Sequence, residues 1–483
     1  MASDHGTFDT PSSKELSLDN ITGIMMGLGA SNIYVKKLSP NDNSKNQAYF
    51  GGHLTDLPFI PTREIVASVS DSKKTSSYKT KIKYQASLNL SWVDANGLIY
   101  EAPNSKLIYY PQYPEVRFSG FLRGSKVDAS KWMLPDKKGR SKGRWLILGV
   151  TKDESIFAYL VTPECNLSNE LASTDYIKIS KVFWQLNILP VASNLSTRDA
   201  LIRKLLEIHQ KDWIPSQKLS SAMILESYKA LNGGGLTLEA MLGISPNGIA
   251  EPDYLGWEVK QFGVGKFPKI GARSTTLFTP EPNGGYYTTA GAMEFVRTYG
   301  YAAINGEIDR INFGGRHIVG RQQNRTKLTI QLVGFDAKNS TITDASGEIV
   351  LLDSLNNVTA SWSFAKLMNH WKRKHSQAVY IPCMRRMHSG ICEYRYGKDI
   401  ELGTGTNFEM VLSAMNLGAL FYDPGIKLEN ASSNEPRLKR RNQFRINHSR
   451  LNTLYKNFEF LDVTTSSNLQ STEISKRVRE EEL

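Results

Sequence analysis

Two acidic residues and a lysine, Asp253, Glu258 and Lys260, have types and a spacing that suit metal-dependent phosphate chemistry. Glu258 and Lys260 are two positions apart in a strand-like segment, so their side chains share one face of the predicted strand. Gly256 lets the chain bend so that Asp253 comes alongside. Two carboxylates can hold Mg²⁺, and the lysine can orient the attacking water and offset phosphate charge. The pattern predicts phosphodiester hydrolysis, with a solvated hairpin as the alternative.

The composition favours a polyanionic partner. The chain has 59 Lys+Arg against 47 Asp+Glu and a formal net charge of +12 at pH 7, which is typical of proteins that bind nucleic acid. Cys165, Cys383 and Cys392 form no C-x-x-C pair, so neither a structural zinc site nor a disulfide framework is supported. Because no long apolar run and no signal-peptide core occur, we expect a cytoplasmic protein without membrane contact.

The first half of the chain has the pattern of an all-β domain. Apolar and polar residues alternate from Thr80 to Trp92, as in a half-buried strand, and Asp94–Gly97 supplies a hairpin turn. A second hairpin is predicted from Trp145–Val150 and Ile156–Val161. Many short strands with turn signals indicate a small barrel.

The second half mixes helices and strands, and we place the boundary at about residues 190–197. Ser196 is expected to cap a helix whose apolar face contains Leu201, Ile202, Leu205, Leu206 and Ile208. Further helices are predicted over Lys218–Leu231 and Ser363–His375. Strands are predicted at Leu255–Phe262, Thr275–Phe278, Leu328–Phe335, Ile349–Leu352 and Ala378–Pro382.

Several segments beyond residue 215 occur in an order typical of one nuclease group. They are Gly235–Ile244 with Pro246–Gly248, the Asp253…Glu258-x-Lys260 site, Thr276–Pro282, Trp371–His375, Tyr422–Lys427 and Lys439–Arg445. Together they resemble the MvaI/BcnI group of restriction endonucleases, which is related to the MutH nicking endonuclease within the PD-(D/E)xK nucleases. The resemblance covers most of residues 215–460.

This resemblance implies a role for each residue of the site. Asp253 and Glu258 match the metal-binding acids, and Lys260 matches the catalytic lysine. Glu239, on the preceding helix, matches an additional acid of MutH-like sites, with an ordinary surface glutamate as the alternative. The implied cofactor is Mg²⁺. We also expect seven basic residues to contact bases or phosphates, with structural histidines and salt bridges as the alternative: Arg373, His375, Arg385, Arg386, His388, Arg440 and Arg441.

A shorter resemblance concerns the N-terminal half. The segment from Ile33 to Asp42, followed by Gln47 and Ile60-Pro61, is similar to EcoRII-type effector domains, B3-like pseudobarrels that read DNA with two arms. One arm is expected over residues 36–47 and the other over residues 109–123, while the basic loop 137–144 could add phosphate contacts. The effector residues expected to contact DNA are Lys36, Lys37, Asn41, Asp42, Gln47, Arg117 and Arg123.

The two resemblances together imply an α+β multidomain protein, in which an N-terminal B3-like β-pseudobarrel precedes an α/β PD-(D/E)xK nuclease domain of the MutH/MvaI type. The expected layout is a disordered tail (1–15), an effector domain (16–190), a linker with a connecting helix (191–214), a nuclease domain (215–463) and a polar tail (464–483).

The implied function is that of a type II, and specifically type IIE, restriction endonuclease. It would cut double-stranded DNA at a CC-N-GG-type site such as CCWGG, with S instead of W left open at the centre, and would bind a second site copy as an allosteric effector. The implied protein is a monomer that binds two sites per chain, and a cognate DNA methyltransferase would be its functional partner in the host.

Three other functions remain open at this point. A strand-specific MutH-like nicking endonuclease would lack the N-terminal β-domain. A sequence-specific regulator with an inactive nuclease fold would be expected to lose one of Asp253, Glu258 and Lys260. A structural basic protein would show neither metal dependence nor sequence preference.

Overall fold

The structure is a computed structural model that falls into two compact units, Met1–Asn194 and Leu195–Leu483. No helix in the part of the chain described below is long and apolar enough to cross a membrane. The residues that the structure describes are 7–40, 47–70, 81–134, 139, 141–174, 176–186, 196–245, 253–268, 274–303 and 307–465.

The first unit consists mainly of strands. Its helices are α1 (Pro11–Glu15), α2 (Leu18–Gly27), α3 (Ser130–Met133) and α4 (Asn166–Ser173), with a 3-10 turn at Leu54–Asp56. Its strands are β1 (Ala30–Lys37), β2 (Ala48–Gly51), β3 (Ile65–Ser70), β4 (Lys81–Ser87), β5 (Leu90–Val93), β6 (Ile99–Glu101), β7 (Lys106–Tyr110), β8 (Glu115–Ser119), β9 (Trp145–Thr151), β10 (Ile156–Val161), β11 (Ile177–Lys178) and β12 (Trp184–Gln185).

These strands form two sheets, with the orders β11-β12-β1-β9-β10-β5-β6 and β2-β8-β7-β4-β3. Within the described residues neither sheet closes on itself, so the predicted barrel is not seen as a closed sheet. The predicted β9–β10 hairpin is confirmed, with Trp145 opposite Val161 and Val150 opposite Ile156.

The alternating segment from Thr80 to Trp92 is divided between the two sheets. It forms β4 and β5, so the prediction of one continuous strand is wrong. Its predicted apolar face is confirmed as buried, since this face contains Ile82, Tyr84, Ala86, Leu88, Leu90 and Trp92. The turn at residues 94–97 is also confirmed, because Asp94 Oδ1 accepts the amides of Asn96 and Leu98 at 2.9 Å.

Residues 7–15 are ordered, so the predicted disorder over residues 1–15 is wrong for this part of the segment. Phe8 is only 1% exposed, and its ring packs edge-on against Trp92 and Tyr159. Thr10 caps α1 by accepting the Ser13 amide. The buried Phe8 ring and the ion pair of Asp9 with Lys131 at 3.3 Å anchor this largely polar segment.

The second unit mixes helices and strands. Its helices are α5 (Thr197–Gln210), α6 (Gly234–Met241), α7 (Tyr286–Thr289), α8 (Ala292–Tyr299), α9 (Phe364–Lys374) and α10 (Phe408–Asn416), with a 3-10 helix at His448–Leu454. Its strands are β13 (Ile214–Pro215), β14 (Gln217–Leu219), β15 (Leu225–Ser227), β16 (Glu258–Gly263), β17 (Ser274–Phe278), β18 (Tyr301–Ala302), β19 (Arg310–Gly314), β20 (Thr329–Val333), β21 (Phe335–Asp336), β22 (Thr341–Ile342), β23 (Glu348–Leu352), β24 (Val358–Ser363), β25 (Gln377–His388), β26 (Ile391–Tyr396), β27 (Asp399–Thr404), β28 (Leu420–Tyr422), β29 (Gly425–Glu429), β30 (Arg437–Lys439), β31 (Phe444–Asn447) and β32 (Asn457–Asp462).

The central sheet has the order β13-β26-β25-β27-β32, and β16 pairs with β25 in parallel. Tyr380 on β25 pairs with Lys260 on one edge and with Glu401 on the other, so β16 and β27 flank β25. Helix α5, capped by Ser196 as predicted, packs against this sheet. The core between them includes Leu201, Ile202, Leu205, Ile208, Trp257, Val259, Val379 and Ile381. The connecting helix predicted within 191–214 is therefore part of this unit's core.

Helix α9 and the predicted strands are present with boundaries shifted by a few residues, but the helix predicted over Lys218–Leu231 is wrong. That segment forms the β14–β15 hairpin, in which Lys218 pairs with Glu226. Met223, Ile224 and Leu225 are each more than half exposed at its tip. These apolar residues therefore lie at the surface and not in a helix.

A group of smaller sheets completes the second unit. They have the orders β17-β31-β28, β18-β19-β29-β30 and β20-β23-β24. Aromatic rings join the first of these sheets to β24: Trp362 packs edge-on against Tyr422 and Phe444, and Phe278 stacks on Phe444 at 5.0 Å. This aromatic core fixes β17 beside α9.

Candidate active site

Glu258 and Lys260 share the face of β16 that points away from the core. Trp257 and Val259 are buried in the core on the opposite face, so the predicted division of the strand is confirmed. Lys260 Nζ donates a hydrogen bond to Glu258 Oε1. The Glu258 side chain is fully buried, whereas that of Lys260 is 23% exposed. The pair thus presents a cation to solvent above a carboxylate held inside the protein.

A tight turn brings Asp253 beside this strand. Tyr254 and Trp257 bond each other's backbone across the turn, at 3.0 Å and 2.8 Å. Gly256 adopts φ +85° there, the left-handed conformation that glycine adopts readily. Asp253 Oδ2 then accepts the Val259 amide at 2.9 Å. The carboxylate is therefore fixed by the backbone of the strand that carries Glu258.

Helix α6 places Glu239 among the same charges. Burial, and then the negative charge of Asp253, raises the pKa of the Glu239 carboxyl, while Lys260 and Lys374 act in the opposite direction. A surface glutamate would not experience these effects together. Glu239 is partly buried, and its place in the site stays a prediction.

Sequence reasoning missed Lys374. It lies in the last turn of α9, and its Nζ is 3.8 Å from Glu258 Oε1. The strand that follows α9 pairs with β16 in the register Glu258 to Ala378, which brings the end of the helix to the site. This register joins segments more than a hundred residues apart, so it could not be read from local patterns. The only local signal was a cluster of cations just before a predicted strand.

The Glu258 carboxyl has a raised pKa and one oxygen without a hydrogen-bond partner. Burial raises its pKa to about 7, against the lowering effect of Lys260. Its second oxygen, Oε2, is buried and has no hydrogen-bond partner among the described residues. A buried acceptor without a partner is unfavourable, and a cation would supply the missing interaction.

Asp253 and Glu258 supply carboxylate oxygens, the ligand type that Mg²⁺ accepts. Within the described ranges, no group of three or more His, Cys, Asp or Glu residues is arranged to hold a metal ion. Mg²⁺ requires only one or two carboxylates, because waters and substrate phosphates complete its coordination. Asp253 and Glu258, with the unpartnered Oε2, meet that requirement.

Two histidines near the site have pKa values below the usual range because of burial. His375 is fully buried and stacks on Trp371 at 4.3 Å, and burial holds its pKa well below the usual value. Burial also lowers the pKa of His370 to about 4, with help from the Lys374 charge. Both rings are therefore neutral, and the prediction that His375 contacts DNA is wrong because its ring does not reach the surface.

The β25–β26 hairpin exposes three of the predicted DNA contacts. Arg385 donates to the Leu231 carbonyl at 3.0 Å. Arg386 bonds Glu393 at 2.6 Å and lies over the Trp213 ring. His388 Nδ1 is 3.7 Å from Glu393 Oε1. The two arginines are held by contacts within the protein while remaining at the surface.

The other predicted contacts of this unit are dispersed. Arg373 is half-buried in α9. Arg440 is exposed, and its Nη1 is 3.9 Å from Glu281 Oε2. Arg441 is exposed on the same segment. The structure thus places these cations on α9 and on the β30–β31 connection, separate from the hairpin.

In the first unit, the structure brings two of the predicted effector residues together. Strands β2 and β8 are paired, with Tyr49 opposite Arg117. Gln47 Nε2 donates to Ser119 Oγ at 3.2 Å, and Arg117 pairs with Glu115 at 2.9 Å. Arg123 is exposed in the turn that follows. Asn41 and Asp42 lie outside the described residues.

The two lysines of the first predicted arm, Lys36 and Lys37, differ in their exposure to solvent. Lys37 is exposed, with its Nζ over the Trp145 ring. Lys36 is only 4% exposed, and burial lowers its pKa to about 8, so a direct DNA contact by Lys36 does not agree with the structure. In the basic loop, Arg144 is also buried and donates to the carbonyls of Ser39, Trp132 and Ser141. Its role is to hold the backbone.

Comparisons with known proteins identify the second unit. The sequence model of the MvaI/BcnI restriction endonuclease family matches residues 202–455, which is more than half of the chain. The restriction endonuclease MvaI in complex with its cognate DNA substrate is similar at 17% identity and a TM-score of 0.42, over 56% of this chain and 99% of that chain. MvaI in the absence of DNA is similar at 14% identity and a TM-score of 0.31, over 56% of this chain and 100% of that chain.

Both TM-scores are low, so these two structures do not by themselves establish the fold. No curated protein matches the chain. The family match stands independently of them and spans Glu239, Asp253, Glu258, Lys260 and Lys374. The chain therefore belongs to the MvaI/BcnI restriction endonuclease family.

Proposed function

We propose that the protein is a type II restriction endonuclease that hydrolyses double-stranded DNA at a specific site with Mg²⁺. The observation that carries this proposal is the buried Glu258 carboxylate, which has one oxygen on Lys260 and the other without a partner. The family match over residues 202–455 supports DNA as the substrate. Strongly perturbed carboxyl groups beside a specific charge partner are typical of catalytic sites.

Asp253 and Glu258 would hold the Mg²⁺ ion, with Glu239 as a further acid nearby. When bound, Mg²⁺ polarises a phosphate oxygen and lowers the pKa of a bound water. The chain's own residues contribute positioning and charge. Lys260 Nζ donates to Glu258 Oε1, which fixes the ammonium at the edge of the site, where it can orient the attacking water. Lys374, 3.8 Å from the same oxygen, adds a second positive charge towards the phosphate.

The surface cations account for DNA binding in this proposal. The net charge of +12 favours association with DNA through its phosphates, which provides affinity without sequence information. Arg385, Arg386 and His388 on the β25–β26 hairpin, together with Arg373, Arg440 and Arg441, are the candidate contacts. The target class follows from the family resemblance: a CC-N-GG-type site, written CCWGG, with S at the centre as the competing form.

For the first unit we propose a type IIE effector role, in which it binds a second copy of the site. Gln47, Arg117, Arg123 and Lys37 remain the candidate contacts, since they lie at or near the surface. Such activation requires that DNA on one unit changes the free energy of DNA binding or cleavage on the other. The combination of the two halves is similar to the composite enzyme UbaLAI.

The test is plasmid digestion with Mg²⁺ and with EDTA, followed by sequencing of the ends. Wild type is compared with Lys260→Ala and with Lys204→Ala, a control that removes a partly exposed lysine, paired with Glu207, from α5. Discrete Mg²⁺-dependent fragments that share one end sequence, present in the control and lost in Lys260→Ala, support the proposal. Specific binding without cleavage would indicate a regulator, and cuts confined to one strand would indicate a nicking endonuclease.

The effector role has its own test. DNA with one site is digested with and without an oligonucleotide that carries a second copy, using wild type and Arg117→Ala. Stimulation by the oligonucleotide in wild type, weakened in Arg117→Ala, supports activation. Equal rates under all conditions would contradict the effector role and leave the nuclease proposal intact.

A further inference from the structure

We propose that the cationic loop, residues 315–327, is a DNA-reading surface in which Arg321 contacts guanine and Asn324 contacts adenine in the major groove. None of the segments singled out by motif contains this loop. The inference rests on the proposed function, because it names a surface that would select the site to be cut.

The charge of the cationic loop is entirely positive. No acidic residue occurs between Asp309 and Asp336. Four cations of the loop are exposed: Arg316, Arg321, Arg325 and Lys327. Within the described ranges, none of the four forms an ion pair with a carboxylate. A cluster of exposed cations without counter-charges favours a polyanionic partner.

The loop is built on a rigid base. His317 is fully buried, and its Nε2 lies 2.9 Å from Thr326 Oγ1 across the loop. Its backbone amide donates to the Tyr422 carbonyl at 2.8 Å. Gln323 Oε1 accepts the amides of Arg325 and Thr326, at 2.7 Å and 2.8 Å. The backbone is therefore held before any partner binds, which reduces the entropy lost on binding.

Two of the loop's arginines are fixed on aromatic rings. Arg316 lies 4.8 Å over Phe421, and Arg325 lies 5.2 Å over Tyr301. By contrast, no hydrogen bond, ion pair or ring contact joins the side chains of Arg321 and Asn324 to another described residue, and both are exposed. These two side chains are available for a partner on a loop that is otherwise anchored.

The types of these two residues match base edges as well as phosphates. Arg bonds guanine O6 and N7 in a bidentate manner, and Asn does the same with adenine N6 and N7. A surface that only gripped phosphates would need cations alone, whereas this loop combines guanidinium and amide groups. Its composition suits a site that contains both G·C and A·T pairs.

Side-chain contacts at the two ends of β17 connect the loop to the proposed catalytic residues. Arg316 Nη2 donates to Ser274 Oγ at 3.2 Å, and Ser274 begins β17. At the other end of β17, the Phe278 ring lies against Trp371 and His375, which flank Lys374 at the end of α9. DNA read by the loop would therefore be held in a fixed relation to the Glu258 site.

In the experiment, randomised DNA duplexes are selected for binding to the full-length protein. EDTA is used in one arm and Ca²⁺ in another, so that binding is measured without cutting. The variants are Arg321→Ala, Arg321→Lys and Asn324→Ala, with Lys338→Ala as a matched control that removes an exposed cation from the neighbouring hairpin. We expect Arg321→Lys and Asn324→Ala each to lose discrimination at one base pair, by about 10-fold to 100-fold. Lys338→Ala should keep the wild-type preference.

Arg321→Lys separates the two ways in which the loop could touch DNA. Lysine keeps the charge but loses the planar fork that reads guanine. Uniform weakening of Arg321→Ala on all sequences, with Arg321→Lys unchanged, would show a phosphate contact and overturn base reading. Unchanged preferences in all three variants would overturn the inference alone, whereas a wild type with no preference would overturn the proposed function as well.

Discussion

Two buried glutamates, Glu258 on β16 and Glu401 on β27, lie on the strands that flank β25 and have contrasting surroundings. Glu401 on β27 is 2% exposed, and its Oε1 lies 3.1 Å from His448 Nε2. His448 Nδ1 in turn lies 2.9 Å from Thr275 Oγ1. Glu258 on β16 is fully buried, bonds Lys260, and leaves Oε2 without a partner among the described residues.

The comparison shows why burial alone does not identify a functional carboxylate. Glu401 and His448 have hydrogen-bond partners inside the protein. Their hydrogen bonds connect β27, β17 and the 3-10 helix. Glu258 retains an acceptor oxygen, Oε2, without a hydrogen-bond partner. This buried oxygen destabilises the folded state unless a cation or a donor binds to it. The satisfied cluster is therefore structural, and the unsatisfied site is the proposed catalytic centre. Four predictions test this contrast.

Among the lysine and histidine variants, Lys260→Ala should have the largest effect on cleavage. Loss of one positioned charge at a reacting phosphate should lower the cleavage rate by about 100-fold to 1000-fold. The melting temperature should fall much less than in a variant of the structural cluster, because Glu258, whose pKa burial already raises to about 7, can take up a proton when it loses Lys260. Initial rates on plasmid DNA and thermal unfolding provide the two measurements. A large fall in melting temperature would place Lys260 with the structural cluster.

His448→Ala should show the reverse pattern. It removes the partner of Glu401 and of Thr275 and leaves a gap against Phe262, so the free energy of unfolding should fall by about 2–3 kcal/mol. Cleavage per folded molecule should stay within about twofold of wild type. Thr275→Val, which keeps the volume, should show a smaller loss of stability in chemical denaturation. Lost cleavage at full stability in either variant would contradict the assignment.

Metal binding should depend on pH through Glu258, whose pKa burial raises to about 7. Protons compete with the metal, so metal affinity should fall about tenfold for each pH unit below 7 and level off above it. In metal-free protein, the stability of the fold has the opposite pH dependence. The contribution of protonated Glu258 to stability is present below its usual pKa and is lost as pH rises through 7. Metal titrations across pH measure the first effect, and Glu258→Gln should remove both.

Lys374→Ala should have the smallest effect, because the distance of 3.8 Å to Glu258 indicates a charge interaction rather than a hydrogen bond. We expect cleavage to fall about fivefold, a modest effect of the size typical for a partly exposed charge. Removing this cation should also raise the Glu258 pKa further and move the pH dependence of cleavage to higher pH. Lys374→Arg should restore the profile. An unshifted profile would separate Lys374 from the site.

Short-range patterns predicted the geometry of β16 well. The two-residue period placed Glu258 and Lys260 together, and the glycine at 256 supplied the turn that delivers Asp253. These features depend on neighbours within a few residues, so local sequence is sufficient to predict them. The faces of β4 and β5 and the cap of α5 were predicted for the same reason.

Features that depend on tertiary contacts could not be read in this way. Lys374 reaches Glu258 only because β25 pairs with β16. His375 and Lys36 lie in basic surroundings in sequence, yet both are buried by segments distant along the chain. Met223 and its neighbours, predicted within a helix, form an exposed hairpin tip. In each case the environment was set by tertiary packing, which overrides local pattern.

The most direct test of the central claim is Glu258→Gln, measured for thermal stability and for Mg²⁺-dependent DNA cleavage on the same preparation. Our account predicts cleavage reduced to background with a melting temperature equal to or above that of wild type, because an uncharged amide replaces a buried carboxylate that lacks a partner. A lower melting temperature with cleavage per folded molecule retained would contradict it. That result would make Glu258, like Glu401, a structural residue.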